Sequence, residues 1–127
     1  MIYVLDTHVL IWYFIGSKRL KRKLKEKIEE VRNAGGRLLV STIVLAEALA
    51  IAEKGKVDFD FRNMYQLIKN EPEFEIISFT TEILEEVMHT KTPEIHDRII
   101  VATANFYRAG IITKDKLIRE SREVETI

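Results

Sequence analysis

The chain alternates between short unbroken apolar runs and longer stretches with helical spacing. Ile2-Tyr3-Val4-Leu5 is a run of strand-forming residues with no polar interruption, the pattern of a strand covered on both faces. Val9 to Ile15 then reads as a short apolar helix closed by Gly16. From Ser17, a good N-cap, a polar helix follows in which Leu20, Leu24, Ile28 and Val31 form one narrow apolar stripe. Asn33-Ala34-Gly35-Gly36 stops it.

Arg37-Leu38-Leu39-Val40 is a second strand, and Ser41 or Thr42 caps a helix from about Ile43 to Lys54, closed by Gly55. Asp58 to Lys69 is a further amphipathic segment, and Phe74-Glu75-Ile76-Ile77 a third strand. Thr80 or Thr81 opens a helix ending near His89. Thr92-Pro93 signals another helix start, running to about Arg108 with Gly110 as its stop. Ile111-Ile112-Thr113 is a fourth strand, and a short helix and a last strand at Val124–Ile127 complete the expected order. Strands alternating with helices in this way predict a parallel sheet with helices on both faces.

At 127 residues the chain suits a single domain spanning 1–127. Apolar types make up 46%, enough to build a core. The absence of cysteine excludes disulfides, thiolate zinc sites and a cysteine nucleophile. The opening apolar run lacks the basic start and small-residue cleavage site of a signal peptide. It is also shorter than the ~20 apolar residues of a spanning helix and is broken by Asp6 and His8. A cytoplasmic protein is therefore expected.

Five aspartates stand against fifteen glutamates, which mostly decorate solvated faces, so the aspartates are the more informative acids. Asp6 directly follows the first strand and Asp115 comes two residues after the fourth, where open α/β sheets bind ligands. Either could simply cap the next helix. Glu47 lies inside the most apolar helical stretch of the chain, Ile43 to Ala52, and should be at least partly buried. A buried carboxylate needs a cation partner, a shifted pKa or a place at the rim of the core. Asp97 falls near the start of an otherwise apolar helix, where the helix dipole favours a negative charge.

Leu5-Asp6-Thr7-His8, Ser41 to Leu49 with Glu47 inside it, His96 to Ala104 and Ile112-Thr113-Lys114-Asp115 together resemble the PIN-domain family, in particular its VapC-type toxin ribonucleases. These blocks stand in the family's order and span the chain almost end to end. The resemblance implies a three-layer α/β/α sandwich around a five-stranded parallel sheet of order 3-2-1-4-5. It implies that Asp6, Glu47, Asp97 and Asp115 converge at the sheet's carboxyl edge to hold Mg²⁺ or Mn²⁺ and catalyse hydrolysis of RNA. Thr113 matches the family's hydroxyl near the last acid, where it orients a ligand or water, and Thr7 is assigned a supporting role. His8 is read as capping the following helix in preference to touching RNA, and His96 as structural in preference to a general base. A cognate antitoxin and a homodimer are the partners the resemblance implies.

The residue types suit that chemistry independently. Gathered carboxylates repel one another and raise their pKa values, a hard divalent cation relieves the repulsion, and oxygen-only ligands favour Mg²⁺ or Mn²⁺. RNA also needs cations near such acids. Lys18, Arg19, Lys21, Arg22, Lys23, Lys25 and Lys27 crowd ten residues opposed only by Glu26, and Arg98, Lys114 and Lys116 adjoin the proposed acids. The alternative for the first group is a solvated helix face. The glutamate-rich stretch from Glu71 to Glu94 is expected to face away from substrate. Trp12, Tyr13 and Phe14 are read as core, with a partner-binding surface as the alternative.

Two other phosphoryl-handling folds fit poorly. A haloacid-dehalogenase-type phosphatase needs a second aspartate where His8 stands, and a receiver domain needs one after its middle strand, where Ser78 stands. A PIN nuclease of RNA processing or decay, or a non-catalytic RNA-binding or interaction module of the same fold, are the remaining alternatives. The binding module would hold RNA without metal-dependent scission.

Overall fold

The computed structural model describes residues 1–114. Among these, four strands, β1 (Ile2–Leu5), β2 (Arg37–Ser41), β3 (Phe74–Ile77) and β4 (Gly110–Ile112), alternate with helices. The helices are α1 (Thr7–Ile15), α2 (Arg22–Asn33), α3 (Thr42–Lys54), α4 (Phe61–Asn70), α5 (Thr81–Val87) and α6 (Ile95–Tyr107). All strand pairs are parallel and the order is β3-β2-β1-β4, the first four places of the expected 3-2-1-4-5. The expected last strand at 124–127 and the short helix before it lie outside the described residues, as do Asp115 and Lys116.

Successive residues of a strand point to opposite faces of its sheet. Val4-Leu5, Leu38-Leu39-Val40 and Ile111-Ile112 are each buried without a break, so helices cover both faces. Here α2 and α3 pack on β2, α4 on β3, and α6 on β1 and β4. A smaller apolar cluster of Ile83, Val87, Ile99 and Ala102 joins α5 to α6. Trp12 is buried, while the rings of Tyr13 and Phe14 pack on Phe74 at centroid distances of 6.0 and 5.0 Å, so this aromatic run is core.

Several boundaries differ from the sequence pattern for local reasons. The polar helix α2 begins at Arg22 because the Ser17 hydroxyl accepts from the Arg19 amide (3.1 Å), closing a turn instead of capping a helix. Leu20 still buries itself from that turn. Helix α6 starts at Ile95, not at Pro93, because the Glu94 carboxylate takes the cap by accepting from the Asp97 amide (3.1 Å). Arg108, in the left-handed region at φ 53°, ends that helix. Gly110 belongs to β4, where a Cβ would lie 2.5 Å from the buried Tyr3 ring.

The acidic stretch is not one outward face. Arg32 holds Glu71 (2.6 Å) and Glu73 (2.8 Å) and also donates to the Tyr13 hydroxyl (2.8 Å), tying α2 to α1 and to the residues leading into β3. Arg37 pairs with Glu75 (2.6 Å) along neighbouring strands. Glu94 lies elsewhere altogether, as described next.

Candidate active site

Strand order reverses at β1, which pairs with β2 on one side and with β4 on the other. A crevice at the carboxyl ends of such strands is where this class of sheet places chemistry. Parallel pairing continues one residue past β1, as the Asp6 amide donates to the Ile112 carbonyl (3.2 Å). That contact sets Asp6 beside Thr113, although 107 positions separate them in the sequence.

Asp6 is only 9% exposed, yet its carboxylate has three donors. Oδ1 accepts from the Val9 amide (3.0 Å), which makes Asp6 the N-cap of α1. Oδ2 accepts from the Thr113 hydroxyl and from the Lys114 amide (3.2 Å). Burial nevertheless wins, pushing the Asp6 carboxyl above the usual aspartate range against these hydrogen bonds. The cap role expected of His8 thus belongs to Asp6. His8 sits in the first turn of α1 with its ring 5.5 Å from that of Trp12. Burial and then the charge of Lys114 lower its pKa, leaving the ring neutral at neutral pH.

Glu47 projects from α3 toward α1, where its Oε1 accepts from the Thr7 hydroxyl. Its side chain is 33% exposed, so it stands at the rim of the core, and the His96 ring lies 3.8 Å from its Oε2. Asp97 stands in the first turn of α6. Asp6, Glu47 and Asp97 therefore line one cleft of about 300 Å³, together with Glu94, His8, His96 and Lys114. Glu94 was not among the acids singled out from the sequence. Its signal was the three-residue spacing to Asp97, that of an acidic cap and the amide it accepts from.

The cation assignments divide. Lys114 lines the cleft and its ammonium lies 5.5 Å from the Trp12 ring centroid. Arg98 turns the other way, donating to the Val87 carbonyl (2.8 Å) at the end of α5, so its guanidinium serves the packing of α5 on α6. The Thr113 hydroxyl, expected near the last acid, meets the first one, Asp6.

Among the described residues, no three acidic or histidine side chains converge closely enough to enclose an ion. Asp6 and Glu47 direct oxygens at Thr113 and Thr7, and Asp115 lies outside the described residues. The donor chemistry still fits a hard divalent cation. The cleft offers carboxylate oxygens from three separate segments, and the donors that meet buried Asp6 are amides and a hydroxyl, not a cationic side chain. Among the described residues no helix is long and apolar enough to cross a membrane.

The model of the PIN domain family matches residues 3–123. No curated protein matches the sequence. Among solved structures, VapBC2 from Rickettsia felis bound to a DNA fragment from its promoter is similar, with a TM-score of 0.77 at 17% identity, covering 100% of this chain and 98% of that one. A toxin-antitoxin complex from Klebsiella pneumoniae gives 0.65 at 23% identity, covering 96% and 94%. FitAcB from Neisseria gonorrhoeae gives 0.66 at 19% identity, covering 100% and 96%. At such identities the likeness speaks for the fold.

Proposed function

Because the chain belongs to the PIN-domain family, we propose that it is a Mg²⁺- or Mn²⁺-dependent ribonuclease and the toxin of a toxin–antitoxin pair. The observation carrying this reading is the meeting of Asp6, Glu47 and Asp97, from three separated segments, in one cleft at the carboxyl end of a parallel sheet. The toxin assignment is supported by similar chains that come from toxin–antitoxin assemblies. A single cytoplasmic domain, a cognate antitoxin and a homodimer belong to the same proposal.

Asp6, Glu47, Asp97 and Asp115 would hold the cation. Held there, it would supply a lowered pKa for a bound water and charge stabilisation for the phosphoryl and leaving oxygens. The chain's own task is to hold the acids in place. Thr113 and the amides of Val9 and Lys114 keep the Asp6 carboxylate ionisable and aimed despite its burial. Thr7 does the same for Glu47, and the start of α6 favours the charge on Asp97. The family chemistry leaves a 5′-phosphate and a 3′-hydroxyl.

The test is cleavage of single-stranded RNA by nuclease-free protein. Scission is expected with Mg²⁺ or Mn²⁺, is lost with a chelator and returns when metal is restored. RNA left intact with either metal, or cut equally well in excess chelator, contradicts the reading.

A further inference from the structure

The cleft does not end at its acids. A second cavity of about 340 Å³ adjoins it, lined by Arg19, Lys21, Lys23 and Lys114 with Trp12 and Leu24. Lys114 belongs to both cavities and so joins them. A third, of about 370 Å³, is lined by residues of α3 as far as Lys54, and by Lys56. Ile43, Glu47 and His96 are shared there. The three cavities thus border one another through shared residues and make up a trench whose outer parts carry cations and whose middle carries most of the carboxylates.

Those end cations are available to a ligand. Arg19, Lys21, Lys23, Lys54, Lys56 and Lys114 are exposed, and none is in an ion pair with an acid of the described residues. By contrast, Lys27, Arg32 and Arg37 are each paired with glutamates. Grouping like charges without acids between them costs self-repulsion, which an anion relieves. Helix α2 adds to that cost, because it begins with Arg22 and Lys23 and has no side-chain cap, so cations sit against its dipole.

We propose that one RNA strand lies along this trench, its backbone held on one side of the scissile bond by Arg19, Lys21, Lys23 and Lys114, and on the other by Lys54 and Lys56. This rests on the ribonuclease reading and adds the path of the substrate. The division of charge explains how an acid-lined centre accepts a polyanion: phosphates flanking the reacting one sit on cations, and only the reacting one meets the carboxylates. A positively charged groove that tracks the backbone is a common part of single-strand binding sites. Of the cations, Lys54 and Lys56 are added by the structure; Arg19, Lys21 and Lys23 belong to the basic run read from the sequence, and the Arg98 guanidinium is turned to the end of α5.

The test measures the salt dependence of binding of a fluorescein-labelled 12-nucleotide single-stranded RNA by anisotropy, without added metal. The proteins are wild type, Lys21→Gln/Lys23→Gln, Lys54→Gln/Lys56→Gln and, as control, Arg62→Gln, which lies outside the trench on α4. Each lysine pair should lower the slope of log affinity against log salt by about 1.4, from about 0.7 per lost single-strand contact. Arg62→Gln should leave it unchanged, and urea midpoints should match wild type throughout. Slopes unchanged in both lysine variants overturn the path and leave these cations to a protein partner. A change at one end alone overturns the two-sided arrangement. If both slopes fall while RNA stays intact with Mg²⁺ or Mn²⁺, the trench stands and the ribonuclease reading fails.

Discussion

Asp6→Asn should remove metal-dependent RNA cleavage while leaving the protein folded. The substitution keeps the shape of the side chain and an oxygen for the Val9 amide, so the cap of α1 survives. It removes the negative charge that a cation would meet. It also removes the charge whose burial raises the Asp6 pKa, which offsets the loss of the Lys114 amide bond and the reversal of the Thr113 bond, since the new NH₂ group can only donate. The thermal midpoint without metal should therefore stay close to wild type. Activity should fall by more than the about 10–100-fold typical of losing a group that only supports a ligand.

Thr113→Val is the companion case. It deletes only the hydroxyl that orients Asp6, and should cost about 10–100-fold, with Thr113→Ser restoring most of it. A metal-linked stabilisation should follow the same pattern. At a hundred times its Kd a ligand adds about 2.7 kcal/mol to stability, so Mn²⁺ should raise the midpoint of wild type but not of Asp6→Asn. The rise should shrink as pH falls toward the raised pKa of Asp6, because protons then compete with the metal. Full activity in Asp6→Asn would remove this carboxylate from the mechanism.

Leu5→Ala should give the largest loss of stability. Leu5 is fully buried in β1, opposite Ile112 of β4, and immediately precedes Asp6. Truncating such a leucine loses transfer free energy and leaves a cavity, about 2–5 kcal/mol in all. That is a large share of the ~5–15 kcal/mol by which domains are usually stable. The urea midpoint should fall with the slope of the transition unchanged. Leu67→Ala on the exposed side of α4, where 40% of the residue is solvent-accessible, should cost far less. Equal costs at the two positions would contradict the burial of β1 between two helical layers.

The elements that were legible in the sequence are those with strong local signals. Gly16 and Gly55 close α1 and α3 in left-handed geometry, at φ 68° and 69°, as their positions suggest. The unbroken apolar runs gave the strands because burial on both faces leaves no alternation to disguise them. Misplaced boundaries came from competition between nearby caps. The Ser17 hydroxyl accepts from the Arg19 amide in a turn ahead of α2, and Glu94, not Thr92, caps α6.

Site geometry was less legible because it depends on contacts between distant segments. Nothing local to Thr113 says that its hydroxyl will meet Asp6; that follows only from β1 and β4 being neighbours. Arg98 lies next to an acid in sequence, yet successive positions on a helix face different ways, and its guanidinium goes to the end of α5. Glu94 was hidden inside an acidic stretch whose other members meet Arg32 and Arg37 or decorate α5.

The most direct measurement is a crystal structure of the Mn²⁺-soaked protein with anomalous diffraction recorded at the manganese edge. An anomalous peak is expected in the cleft, bonded to oxygens of Asp6 and at least one of Glu47, Asp97 and Asp115, and absent from Asp6→Asn crystals. A cleft without manganese at saturating concentration, or a peak held only by acids outside it, would contradict the assembly of these carboxylates into a cation site.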